Sequence, residues 1–155
     1  NAIVENIATG CTVVLNRLAR DLLISKKPQK ALMHDAWCYL VISAFGTVIY
    51  DPYPSLYYRQ HENNIVGGNL TICEKWRKKI WNYRKRKGKP LMSMQVEDFF
   101  QLFADQLDAK SKNLIQDFLS KSFFCKFKLI FNNGVFRQSL VDDLILKVLY
   151  LCGKI

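Results

Sequence analysis

Apolar residues recur along this chain in two rhythms. Up to about residue 68 they form short β-branched or aromatic runs broken by turn formers. Beyond it they recur every three or four positions, the spacing of one helix face. In the first region, residues 11–15 (CTVVL) read as a buried strand. Asn16 or Arg17 then opens a short helix through Leu23, and a polar loop follows at residues 26–30 (KKPQK). Residues 34–45 have helical length, with Gly46 placed to stop the helix. Residues 47–50 predict a short strand, the two prolines of residues 51–54 (DPYP) a turn, and residues 55–59 another strand. Gly67-Gly68 closes the region.

The second region predicts helices. Thr71 and Glu74 have capping-box spacing. Ile72, Trp76, Ile80 and Tyr83 then form one stripe, ended by Gly88 and Pro90. Val96, Phe99, Phe100, Phe103 and Leu107 form a second, and Leu114, Ile115, Phe118 and Leu119 a third. Phe124, Phe127 and Phe131 predict a further helix, stopped by Asn132-Asn133-Gly134. Leu140, Val141, Leu144, Val148 and Leu151 predict the last. The Phe-rich stripes after Val96 read as core. The expectation is an α+β region at residues 1–68 and a helical, basic region at residues 69–155.

Composition changes this picture in three ways. A formal net charge of +10 over 155 residues favours an anionic partner: nucleic acid, phosphates, a nucleotide-sugar or an anionic membrane surface. Cys11, Cys38, Cys73, Cys125 and Cys152 are odd in number and form no CxxC pair, so they read as reduced thiols of the cytosol, mostly in the core. Residues 36–50, the longest uncharged stretch, are too few for a spanning helix, and no signal-peptide pattern opens the sequence at Asn1. The sequon at Asn69-Leu70-Thr71 then reads as chance.

Few residues carry candidate chemistry. Asp35 sits at a helix N-terminus, where an acid serves as a cap or as a general base taking a proton from a hydroxyl; the roles coexist, because helix amides keep the carboxylate ionised. His61 reads either as hydrogen-bonded structure or as a ligand for a metal or a diphosphate. HENNI at residues 61–65 is no zincin motif, since Ile65 stands where a second His is required. Arg59 offers a planar fork to phosphate, and Asn63 and Asn64 are turn residues. Residues 75–89 hold nine Lys or Arg interrupted by Trp76 and Trp81. That run reads as a solvated helix face, as a membrane-surface helix or, ranked lowest for want of a motif, as a nucleic-acid contact.

Three segments in order carry a resemblance. Residues 5–17 (ENIATGCTVVLNR), 33–40 (MHDAWCYL), and 50–52 (YDP) with 58–64 (YRQHENN) are similar to successive segments of bacterial family 2 glycosyltransferases. The rhamnosyltransferase-like group that builds cell-surface polysaccharide is the nearest likeness. The resemblance implies the C-terminal, acceptor-side half of a GT-A fold followed by a mainly helical tail. It implies inverting transfer of a sugar from a nucleotide-sugar to a saccharide or lipid-linked acceptor. Asp35 would be the base and His61 would lie at the diphosphate and its Mn²⁺ or Mg²⁺. Arg59 and Gln60 would close over the donor. Thr9 and Gly10 would form an acceptor-facing turn, and Trp37 a sugar-stacking wall. Ala36 replaces a Trp of the family's HDWW segment, which alters acceptor fit. Glu62 replaces a Gly and brings a carboxylate that either repels phosphate or adds a metal ligand.

The sequence has no Asp-x-Asp motif and no nucleotide-binding βαβ half; Asp142-Asp143 lies in a late apolar helix. The expectation is a portion of a longer enzyme that by itself binds no nucleotide tightly and transfers no sugar. The metal belongs with the missing half, and the location is cytoplasmic, peripheral at the inner membrane face. The alternative is a non-catalytic helical module that binds a membrane or an acidic partner through residues 71–88.

Overall fold

A computed structural model describes residues 1–54, 56, 57, 59, 77, 81, 89–132 and 134–155. The chain divides into two compact units, Asn1–Ile49 with Pro90–Ile155, and Tyr50–Lys89. The compositional boundary near Gly68 lies outside the described residues.

The first unit holds six α-helices among the described residues: α1 Arg17–Ser25, α2 His34–Phe45, α3 Leu91–Phe103, α4 Ala109–Leu119, α5 Phe123–Phe131 and α6 Leu140–Leu151. Local chemistry sets most of their starts. Asn16 Oδ1 accepts the Ala19 amide at 2.8 Å, and Asp108 Oδ1 accepts the Ser111 amide at 2.6 Å. Pro90 precedes α3, where its missing N–H costs nothing. Ser139 faces the Asp142 amide, and Asp142 and Asp143 sit in the first turn of α6, complementing its dipole. At the far end of α6, Gly153 takes φ +66°, and the Gly153 and Lys154 amides close onto the Tyr150 and Leu149 carbonyls.

The main helix contacts are between sequence neighbours: α1 on α2, α3 on α4, α4 on α5 and α5 on α6. The core is aromatic. Val96, Phe99 and Phe103 share one face of α3, and Phe99 and Phe103 meet Phe45 and Trp37 of α2. Farther along, Phe118 stacks on Tyr150 at 5.0 Å, and the Tyr150 hydroxyl donates to the Phe118 carbonyl at 2.9 Å. Ile3 and Val4 complete the core, held by Arg137 Nε, which donates to the Val4 carbonyl.

The α+β, GT-A expectation is overturned: the described residues contain helices and no strand. The strand expected at residues 11–15 is a 3-10 turn, Gly10–Thr12, followed by irregular chain in which Val14 is 93% exposed. Residues 47–50 are irregular, with Ile49 87% exposed. Of residues 55–59, Leu56, Tyr57 and Arg59 are described and none is in a strand. A β-branched run becomes a strand only when a neighbouring strand takes its amides and carbonyls. No described segment does so here.

Two core assignments also change. Phe99, Phe103 and Phe118 are buried, but Phe123, Phe124, Phe127 and Phe131 of α5 lie exposed, as do Leu140, Val141, Leu144 and Val148 of α6. The thiols are not mostly core either: Cys11 and Cys152 are exposed, Cys38 and Cys125 are half-buried, and all four are free.

Candidate functional site

The site grows from the loop between α1 and α2. Three of its amides are claimed by α3: Asp98 Oδ2 accepts from Gln29 (2.6 Å) and Lys30 (3.0 Å), and Gln95 Oε1 accepts from Leu32 (2.8 Å). Asp98 and Gln95 are buried and stand one helical turn apart, so α3 grips the loop from one face. Lys26 anchors the loop's start. Its ammonium donates to the Leu102 carbonyl at the end of α3 and lies over the Phe103 ring. This clamp fixes where α2 begins.

Asp35 occupies the first turn of α2 and is 7% exposed. Its Oδ1 accepts the Ala36 amide at 2.7 Å, one of the free N–H groups that a helix start presents. No hydrogen bond to its Oδ2 is found among the described residues. One oxygen is therefore held by the helix start. Cys38, a turn farther on, has its pKa raised, first by burial and then by the negative charge of Asp35. It stays a thiol at neutral pH, which removes it as a nucleophile.

The Thr9-Gly10 turn lies against the same helix start. A Cβ on Gly10 would stand 2.4 Å from His34 Nε2, so the imidazole rests on the glycine backbone. Thr9 closes the turn by accepting the Thr12 amide (2.8 Å) and hydroxyl (2.9 Å) on its carbonyl. Of the positions expected from sequence, Gly10 lies against His34, and Thr9 and Asp35 are the chain neighbours of that contact.

Trp37 is not a sugar-stacking wall. It is 4% exposed, and its ring packs edge-on against Phe99 at 6.1 Å and beside Phe103 at 6.4 Å. Its position two residues beyond Asp35 turns it to the core side of α2, because successive helical residues diverge by about 100°. Its Nε1 is buried without a partner among the described residues. Arg59 is exposed in the second unit. Gln60 and His61 lie outside the described residues, as do Glu62 and Asn63-Asn64. Among the described residues no group of three or more His, Cys, Asp or Glu is placed to hold a metal ion.

Asp98 and Gln95 escaped sequence reasoning. Their partners lie more than sixty positions away, and on α3 they look like ordinary polar neighbours of Val96 and Phe99. His34 adjoins Asp35 in sequence, and only the Gly10 contact gives it a place in the site. A separate cleft of about 500 Å³ opens between α4 and α5, lined among others by Asp108, Asp117, Lys110 and Lys128. None of the residues expected from sequence lines it. Comparison with protein-family models, curated proteins and solved structures finds no match to this chain.

Proposed function

We propose that this chain is the acceptor-side part of an inverting sugar transferase of surface-polysaccharide assembly, with Asp35 as its base. The observation that carries the reading is a carboxylate held by the start of α2, next in the chain to His34, whose imidazole rests on the Gly10 backbone of the Thr9-Gly10 turn. A base needs its carboxylate held in one orientation, which the Ala36 amide provides. The glycine in the neighbouring turn leaves room for the His34 imidazole beside that helix start.

In the proposed reaction Asp35 takes the proton of the acceptor hydroxyl. The freed oxygen attacks the anomeric carbon of the donor sugar from the face opposite its phosphate. A glycosidic bond forms, and the bond to the nucleoside diphosphate breaks with its electron pair leaving on phosphate. A divalent Mn²⁺ or Mg²⁺ held at His61 would neutralise charge on that leaving group. Arg59 and Gln60 would contact the donor, and the nucleotide-binding residues would come from outside this chain. The resemblance of residues 5–64 is the support for these parts. The basic residues 75–89 would hold the assembly at the cytoplasmic face of an anionic membrane, near a lipid-linked acceptor; no described helix is long and apolar enough to cross one.

A second reading has its own observation. The bond from the Ala36 amide to Asp35 is also what a helix-start acid makes with no chemistry at all. On that reading the chain is a non-catalytic helical module acting through residues 71–88. Two measurements separate the two. In the chain alone, titration with surface oligosaccharides should shift the amide resonances of Thr9, Gly10 and residues 34–36; silence at those positions refutes an acceptor site. Joined to a donor-binding half, Asp35→Asn should lower turnover at least about a hundredfold with folding intact. The module reading expects only a cap's loss of stability, about 1 kcal/mol.

A further inference from the structure

Helix α5 turns all four of its phenylalanines outward. Phe123, Phe124, Phe127 and Phe131 are 65, 75, 44 and 69% exposed, while Leu129 is the buried residue of the helix. The rings form a continuous ridge, with centroids 6.3 Å apart from Phe123 to Phe127 and 4.2 Å apart from Phe127 to Phe131. Phe124 joins the same side through its i+3 and i+7 spacing to Phe127 and Phe131. Together they leave on the order of 500 Å² of aromatic side chain in water, the size at which an apolar patch marks an interaction site.

Charge says what covers it. Residues 118–141 carry Lys121, Lys126, Lys128 and Arg137 and no Asp or Glu. Lys126 turns inward to the Tyr150 carbonyl and Arg137 to that of Val4, so Lys121 and Lys128 are the exposed cations of the segment, Lys128 also lining the α4–α5 cleft with Asp108 and Asp117. A second copy docked through α5 would set these lysines against themselves with no acid in the segment to pair them, since a twofold interface presents one patch to itself. An anionic, apolar surface satisfies both features at once. With nine residues, α5 is about 14 Å long, far short of a bilayer's hydrocarbon core of about 30 Å.

We infer that α5 is a membrane-interface helix that seats Phe123, Phe124, Phe127 and Phe131 among the headgroups and upper acyl chains of an anionic bilayer, with Lys121 and Lys128 at the phosphates. Such helices lie in the plane of the interface, apolar face about 5–10 Å deep. The inference uses neither the transfer reaction nor the basic residues 75–89. Its failure and theirs are therefore distinguishable.

The test is co-flotation of the intact chain with phosphatidylcholine vesicles containing or lacking phosphatidylglycerol. The chain should partition onto the anionic vesicles. Phe124→Gln/Phe127→Gln/Phe131→Gln should lower that partition at least tenfold, with helicity and melting unchanged because the rings are exposed. Should the triple variant lose helicity, Phe131→Gln alone carries the test, with at least about a fivefold drop. Lys121→Gln and Lys128→Gln should each lower it about fivefold. Undiminished partition of the folded Gln variants assigns binding to the intact basic run and overturns the proposal. So does absence of binding, or a dimer in light scattering that the Gln variants dissociate.

Discussion

Replacing Asp98 with Ala should be among the most costly polar substitutions in this protein. The carboxylate is 5% exposed and receives two amides of the α1–α2 loop, from Gln29 at 2.6 Å and Lys30 at 3.0 Å. Hydrogen bonds to an ionised acceptor contribute about 1.5–3 kcal/mol each, which bounds the loss near 6 kcal/mol. Gln29 and Lys30 are themselves exposed, so water recovers part of it. The expected cost is about 2–4 kcal/mol. Asp98→Asn keeps one acceptor oxygen but loses the charge, and should cost about half as much. Urea unfolding followed by far-UV circular dichroism reads both; at a slope of about 1–3 kcal/mol per molar, the Ala variant's midpoint should fall by about 1–2 M. Gln95→Ala holds the same loop through Leu32, so the Asp98/Gln95 double variant should cost less than the two singles added. Stability within 0.5 kcal/mol of the parent for Asp98→Ala, or full additivity with Gln95→Ala, would refute the clamp.

Two further outcomes follow from α6. Burial works against ionisation of Asp143, but the Lys147 ammonium at 2.7 Å and the Arg137 amide at 2.8 Å outweigh it, and its pKa lies below the ordinary 3.8. A depressed folded pKa means stability that is present above pH 3.8 and lost as pH falls through the folded value, so Asp143→Asn should flatten the acid limb of a pH–stability curve; an unchanged limb contradicts it. Tyr150→Phe keeps the stack on Phe118 but removes the hydroxyl that donates to the Phe118 carbonyl, and should cost about 1 kcal/mol in the same urea assay, whereas no cost would mean that water already serves that carbonyl.

Helix positions were legible because period alone decides them. The helix expected over residues 34–45 is α2, and the stripe through Val96, Phe99 and Phe103 is the buried face of α3. What the pattern did not decide is which apolar side is covered. In FFCKFKLIF, α5 has apolar residues nearly all round, and a single helix in this packing buries one side; Leu129 took it. Period also does not supply a strand's partner, which is why CTVVL became a turn and irregular chain. Candidate-site residues divide on the same line. Asp35 was visible from its place at a helix start, a local property. Trp37, given a place at the acceptor by the resemblance alone, packs in the core against Phe99 and Phe103. Asp98 had no local mark, since its role exists only once residues 29 and 30 arrive.

The clamp and the site are one mechanical unit, and that has a consequence for the proposed base. Asp98 and Gln95 hold residues 29–32, and α2 starts two residues later. Asp35 gets its orientation from the Ala36 amide and His34 its place from the Gly10 backbone, so both depend on where α2 starts. Releasing the loop therefore moves carboxylate and imidazole together, whereas Asp35→Asn changes only charge. If the site is what it is proposed to be, Asp98→Asn in the joined enzyme should raise KM for the acceptor and lower kcat, because approach and proton transfer use the same helix start. Asp35→Asn should act on kcat first. A protein in which Asp35 only starts a helix has no reason to show that split.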